Sequence, residues 1–264
     1  MKIGLSSYTW PWAVGREGHK PAKPLDALGL LERTKGYGVS VLQIADNPGL
    51  HLMQEDELDR ISKTASTYGI TLEVGTRGIE PSHLMRYLDI ARKLNSSIVR
   101  SITHRVDDGA VSNIREVLPA YEKAGVNIAL ENHDEHRTDE LAAFLDRIGS
   151  PSVGVCLDTV NSFAALEAPD RVVRNLAPYT LNLHVKDFEV MRFGSELGFS
   201  IVGRPAGEGR LDIEWTLSYL KEKGRDPNAI VELWTPYTRT LEETIALEEE
   251  WAERSIRYLK GIMQ

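Results

Sequence analysis

Four residues of kinds that hold metal ions each close an apolar run: Glu131 in VNIALEN (126–132), Asp158 in VGVCLD (153–158), His184 in TLNLHV (180–185) and Glu232 in AIVELW (229–234). Side chains alternate faces along a strand, so the apolar positions fix where the others point. In TLNLHV the outward set is Leu181, Leu183 and Val185, which leaves Thr180, Asn182 and His184 inward. The same alternation sends Glu131, Asp158 and Glu232 inward, beside Cys156 and Trp234. Unpaired buried charge costs several kcal/mol even after relaxation, and three carboxylates cannot neutralise one another. One divalent cation does. Three carboxylates and one imidazole nitrogen suit Mn²⁺ or Mg²⁺, with Co²⁺ and Zn²⁺ as alternatives; a structural zinc prefers thiolates. Taken singly, each residue has a plainer reading: a buried histidine is usually a hydrogen-bonded structural group, and an inward carboxylate would pair with Arg100. Their convergence at the ends of four successive strands carries the metal reading.

Other polar side chains point the same way. Ser6, Tyr8, Gln43, Glu73 and Arg100 fall on the inward face of the earlier strands, and Glu73 and Arg100 join the candidate substrate contacts. Lys186, two residues after His184, also points inward at the rim. It would meet a substrate oxyanion or carboxylate, or else form a salt bridge with Asp187 or Glu208.

These residues need a scaffold that brings strand ends together. Apolar runs at 2–8, 41–45, 71–75, 97–102, 126–132, 153–158, 180–185 and 229–234 read as eight strands, with helix-period segments between them. Leu141, Phe144, Leu145 and Ile148 form a core-facing helical stripe, Pro81 opens another helix, and Thr240-Leu-Glu-Glu243 reads as a capping box. Eight such repeats predict an α/β protein, a (β/α)₈ TIM barrel spanning residues 1–264 as one domain. A doubly wound sheet seldom repeats so evenly. One segment breaks the rhythm: residues 186–210, KDFEVMRFGSELGFSIVGRPAGEGR, read as a long glycine-rich loop suited to a lid. Tyr8, Trp10 and Trp12 would cover a sugar or pack their own loop.

Formal net charge is −8 and no basic cluster appears, which argues against a nucleic-acid partner. No run approaches the roughly 20 apolar residues of a membrane span, and no secretory leader is evident. With Cys156 the lone cysteine, no intrachain disulfide forms, and a cytoplasmic location is expected.

The motifs ALENH (129–133), VCLDTVN (155–161), LHVKD (183–187) and IVELW (230–234) resemble the xylose isomerase-like TIM barrels, a family of sugar phosphate isomerases and epimerases. The resemblance implies one divalent metal ion held by Glu131, Asp158, His184 and Glu232, with Glu131 and Glu232 also the catalytic acid–base pair on either side of the substrate. It implies a small polyhydroxy carbonyl substrate passing through an enediolate, with His133, Asn161 and Arg192 as further substrate contacts. Asn161 stands where ketose 3-epimerases carry a histidine, and Arg192 is an approximate counterpart of their substrate-binding arginine. The stretch HVKDFEVMRFG…IVGRPAGEGRLD is similar to a branch containing 3-oxo-isoapionate decarboxylases. The leading expectation is a metal-dependent sugar or sugar phosphate isomerase/epimerase. Its alternative is a lyase on the same scaffold, a 3-oxo-isoapionate-type decarboxylase or a dehydratase. A non-catalytic sugar-binding protein ranks below both, since a mere binder needs neither glutamate. Homo-oligomers are common in such families, although no residue here marks an interface.

Overall fold

The computed structural model describes residues 1–192, 194 and 197–263. Among the described residues there are ten strands: β1 (Ile3–Ser6), β2 (Val41–Ile44), β3 (Thr71–Arg77), β4 (Ile98–Ile102), β5 (Asn127–Glu131), β6 (Val153–Asp158), β7 (Thr180–Val185), β8 (Asp187–Arg192), β9 (Phe199–Arg204) and β10 (Ala229–Val231). The helices between them are α1 (Pro11–Val14), α2 (Ala27–Gly36), α3 (Glu55–Tyr68), α4 (Pro81–Lys93), α5 (Asp108–Ala124), α6 (Thr138–Ile148), α7 (Pro169–Leu176), α8 (Ile213–Glu222) and α9 (Leu241–Ile262). Eight strands close into a parallel barrel in the order β1-β10-β7-β6-β5-β4-β3-β2, the expected (β/α)₈ architecture.

Local signals explain the helices. The stripe Leu141, Phe144, Leu145 and Ile148 is buried along α6, and Gly149 takes the left-handed conformation that ends it. Pro81 sits at the start of α4, where its missing N–H is no loss. At α9 the Thr240 hydroxyl accepts from Glu243 N–H at 3.1 Å, but the reciprocal bond of a capping box is absent. The Glu243 carboxylate turns to Arg239 instead, at 2.8 Å. Among the described residues no helix is long and apolar enough to cross a membrane.

The structure corrects two expectations. The glycine-rich loop contains a two-stranded antiparallel ribbon, β8 with β9, in which Phe188 faces Gly203 and Val190 faces Ile201. Alternation in DFEVMR and FSIVGR supports strand pairing, and Gly194 and Gly198 fall between the two strands. Phe193, Ser195 and Glu196 of that segment lie outside the described residues. The second correction is local to β7. Between β6 and β7 the register skips one residue, with Val155 opposite Thr180 and Cys156 opposite Asn182. Leu181 therefore turns inward to pack with Ile98, Ala129 and Cys156 at the base of the barrel. Thr180 turns away, its hydroxyl donating to the Leu176 carbonyl at 2.9 Å. Gly154 makes room, since a Cβ there would lie 2.7 Å from Leu181 Cγ. Trp10 and Trp12 are buried in their loop rather than laid over the cavity floor.

Candidate metal centre and substrate cavity

Above that apolar base, the barrel interior is polar and layered. The lower layer holds Gln43, Glu73 and Asn182, all buried. The upper layer holds Arg100, Glu131, Asp158, His184 and Glu232, none more than 3 % exposed. Strand ends place them: Glu131 and Asp158 are the last residues of β5 and β6, and His184 is the penultimate residue of β7. Glu232 lies just past β10, held extended by its N–H to the Val185 carbonyl at 3.2 Å.

The four expected ligands come together. His184 Nδ1 lies 3.5 Å from Glu131 Oε2, 3.7 Å from Asp158 Oδ2 and 3.5 Å from Glu232 Oε2. Each carboxylate anchors its other oxygen on the protein. Glu131 Oε1 accepts from Asn161 Nδ2 at 2.8 Å, Asp158 Oδ1 accepts the Val160 and Asn161 N–H groups at 2.9 Å each, and Glu232 Oε1 accepts the Ser6 hydroxyl at 2.9 Å. Ligand atoms of Asp158, His184 and Glu232 lie within 4.8 Å of one another, and Glu131 joins them through His184 Nδ1. His184 Nε2 meets Gln43 Oε1 at 2.8 Å, an acceptor, so Nε2 carries a proton and Nδ1 faces the carboxylates. His184 Nδ1 and Asp158 Oδ2 are buried without a hydrogen-bond partner among the described residues. Buried polar atoms are seldom left so, and three oxygens with one nitrogen fit a divalent cation.

Two side-chain cations share the cluster. Lys186 Nζ stands 2.7 Å from Asp158 Oδ2 and 2.9 Å from Glu232 Oε2, in charge contact although the Asp158 pair lacks hydrogen-bond geometry. This supersedes the sequence-based partners of Lys186. Asp187 instead accepts the Gly207, Gly209 and Leu211 N–H groups, each at 2.9 Å, and Glu208 pairs with Arg254. Arg100 reaches Glu131 Oε2 through Nε and Asp46 Oδ1 through Nη1, the latter at 2.9 Å. Gly75 permits the close approach of the chain at the end of β2, since a Cβ there would lie 2.9 Å from Ala45 Cα.

Ionisation follows from these contacts. Burial opposes the charged form of Asp158, but Lys186 and His184 override it and hold the carboxyl below its ordinary range. Glu232 is lowered against burial by His184, Lys186 and Arg100. Burial likewise opposes the Lys186 ammonium, and Asp158, Glu232 and Glu131 outweigh it, so its pKa rises. Burial pushes the Cys156 thiol up to about 11. Cys156 stays neutral and donates to Asn182 Oδ1 at 3.3 Å, a packing role.

The centre forms one side of a cavity of about 310 Å³. Its walls include Arg100, Glu131, His133, Asn161, Lys186 and Glu232, so these candidates meet at one space. Glu73 does not: it lies in the layer below, 2 % exposed, among the amides of Gln43, Asn182 and Asn228. Arg192 stands on the ribbon with its guanidinium 4.6 Å from the Phe199 ring centre and does not border the cavity. Asn132 clasps the Asp158 backbone through both ends of its amide, at 2.7 and 2.9 Å, so it orients a ligand-bearing strand end.

Sequence reasoning missed Arg77, Asp46 and Arg16. Arg77 lines the cavity and holds Asp46 at 2.6 Å, which leaves Asp46 between two arginines. Burial works against ionisation of Asp46, but Arg100 and Arg77 pull its pKa down to about 2. Extending the strand alternation from Glu73 through Gly75 reaches Arg77, so its signal was present two residues beyond the expected strand end. Arg16 belongs to a short hairpin in which it pairs with His19, and no periodicity marks it.

Comparison with known proteins agrees with this geometry. The chain is 37% identical over 264 residues to the 3-oxo-isoapionate decarboxylase of Pectobacterium atrosepticum, covering 98% of this chain and 95% of that protein. The D-psicose 3-epimerase of Clostridium cellulolyticum H10, solved with D-tagatose, superposes with a TM-score of 0.74 at 18% identity over the whole of both chains. A Mycobacterium smegmatis barrel solved in complex with magnesium gives a TM-score of 0.66 at 16% identity, covering 98% of this chain and 97% of that one. Those two likenesses show the fold. With a profile match over residues 18–262 added to the whole-length likeness, the chain belongs to the xylose isomerase-like TIM barrel family.

Proposed function

We propose that this protein is a metal-dependent lyase that decarboxylates a 3-oxo sugar acid. The charge of the cavity carries the reading. With His184 neutral, as a metal-ligating imidazole must be, Asp46, Glu131, Asp158 and Glu232 set four negative charges against the three positive charges of Arg77, Arg100 and Lys186. A divalent ion turns that deficit of one into a surplus of one, and Arg16 on the wall adds another. A site so poised favours an anion over a neutral ketose. The whole-length likeness to a decarboxylase of an oxo acid supports the same choice.

Glu131, Asp158, His184 and Glu232 would hold the ion, which supplies a Lewis acid for the substrate carbonyl. The protein's own groups supply the rest. Arg77 and Arg16 draw the carboxylate into the cavity, and Asn161 and His133 bind hydroxyls. The bond between the carboxyl carbon and the α-carbon breaks, and its electron pair passes toward the neighbouring carbonyl to give an enediolate. CO₂ leaves. Lys186 keeps its ammonium next to the developing negative charge and delivers the proton that closes the α-carbon, because an enediolate carbon is more basic than an amine. Solvent entering the cavity restores that proton. Both Glu131 oxygens already accept hydrogen bonds, from Asn161 and Arg100, which suits a ligand better than a mobile base.

Incubation of the Mn²⁺- or Mg²⁺-loaded protein in deuterated buffer with 3-oxo sugar acids, ketoses and ketose phosphates tests the proposal. Release of CO₂ with one deuterium retained in the product is expected. Deuterium entering a ketose without loss of mass would overturn it in favour of an isomerase.

A further inference from the structure

The layer beneath the centre contains a relay that the chemistry above does not use. Glu73 Oε2 accepts from Asn182 Nδ2 at 2.7 Å and from Gln43 Nε2 at 3.1 Å, while Oε1 accepts from Asn228 Nδ2 at 2.8 Å. Gln43 Nε2 gives its second proton to Asn182 Oδ1 at 3.0 Å. Both amide protons of Gln43 are therefore spent within the layer, and its carbonyl oxygen is the group left to face His184 Nε2.

We infer that Glu73 is a positioning residue that orients His184 through Gln43 and so keeps the Nδ1 lone pair available to a metal ion. An ionised carboxylate only accepts hydrogen bonds, so it fixes which end of each neighbouring amide turns toward it. Rotating the Gln43 amide by half a turn would set its oxygen against the Glu73 oxygens and its NH₂ against His184 Nε2. The imidazole would then have to accept through Nε2 and carry its proton on Nδ1, facing the ligand point. Burial makes each mismatch expensive, since no water replaces the lost partner. Three amide donors converge on the Glu73 carboxylate, and among the described residues no side chain but Glu73 touches both Gln43 and Asn182 through an oxygen that cannot donate. The inference rests on the metal centre and not on the reaction it serves.

Glu73→Gln keeps the shape and removes the acceptor-only character, freeing Gln43 to rotate. Mn²⁺ affinity, measured by titration of the apoprotein, is expected to fall about 10–100-fold. Gln43→Met should weaken it by a similar factor, and the double variant should be no worse than either alone, because both changes break one chain of contacts. In the Co²⁺-loaded protein, the paramagnetically shifted His184 Nε2–H proton should exchange with solvent faster in Glu73→Gln than in the wild type. Unchanged affinity and exchange in Glu73→Gln, or fully additive losses in the double variant, would overturn the relay alone. Failure of the wild type to bind any divalent ion would overturn relay and centre together. Loss of CO₂ release with metal binding intact would count against the decarboxylase only.

Discussion

Replacing Lys186 by methionine separates the roles of this side chain in stability, metal binding and turnover. The ammonium lies 2.7 Å from Asp158 and 2.9 Å from Glu232, and its side chain is 9% exposed. At an effective dielectric of about 20, each contact is worth roughly 6 kcal/mol of Coulomb energy before desolvation is deducted. Measured costs of removing one partner of a buried pair are smaller, about 3–5 kcal/mol, and that range is expected in chelator. For a chain of this size the corresponding fall in melting temperature is about 6–20 °C. The two orphaned carboxylates then have a stronger claim on a divalent ion, with no ammonium beside it. Mn²⁺ should bind Lys186→Met more tightly than the wild type. At 100 times the dissociation constant it should return about 2.7 kcal/mol of stability. CO₂ release should nonetheless slow by orders of magnitude, because the ammonium that faces the developing negative charge is gone. Differential scanning calorimetry in EDTA and in Mn²⁺, with titration of the ion, reads each effect. A variant that melts like the wild type in EDTA and gains no extra stability from Mn²⁺ would refute the charge assignment.

Glu232→Gln should weaken Mn²⁺ binding and reduce turnover by orders of magnitude, and near-normal rates in a CO₂-release assay would remove Glu232 from the centre. Arg77→Gln should raise KM for an anionic substrate much more than it lowers kcat, with the wild-type KM more sensitive to salt than the variant's; equal salt dependence would leave Arg77 a structural partner of Asp46. Glu248 gives a pH signature away from the site. Its carboxylate accepts the Trp12 and Ala13 N–H groups at 2.8 and 3.0 Å, and burial raises its pKa to about 8. The folded state therefore holds this proton after the unfolded chain has released it, so stability falls as pH rises from about 4.5 toward 8, by up to about 1.4 kcal/mol per pH unit. Urea denaturation across that window should show the slope in the wild type and a flatter one in Glu248→Gln; parallel slopes would assign the pH dependence elsewhere.

Which side chains of the candidate centre face the barrel interior was legible because a strand's two faces are set by covalent geometry. Once Leu183 and Val185 face the helices, His184 has one direction left, and Glu131, Asp158 and Glu232 follow in the same way. The method fails where the backbone departs from strict alternation. Leu181 sits at the register skip between β6 and β7, where one extra residue reverses the rule for its neighbours. Arg77 was lost for a different reason: β3 runs through Arg77, and a reading that stops at Gly75 never reaches it. Arg16 and Asp46 come from loops, whose geometry has no repeat to read. The ribbon was hidden by composition, since its glycines suggest a loop while DFEVMR and FSIVGR alternate as strands do.

Glu73 exposes the deeper limit. Its face was read correctly, yet it lies one layer beneath the cavity, because alternation decides which way a side chain points and says nothing of its height along the barrel axis. Height is set by the stagger between strands. Gln43 stands opposite Glu73, whereas Gly75, two residues further along the strand, stands opposite Arg100. A stagger of that kind arises only when eight strands close together, and no single strand encodes it. It also decides chemistry. Moved up one layer, Glu73 would be a fifth carboxylate among the cavity's charges and would halve the surplus on which the proposed preference for an anion rests. Held where it is, with three amide donors around it, the same side chain organises the imidazole above it and leaves the cavity's positive balance intact.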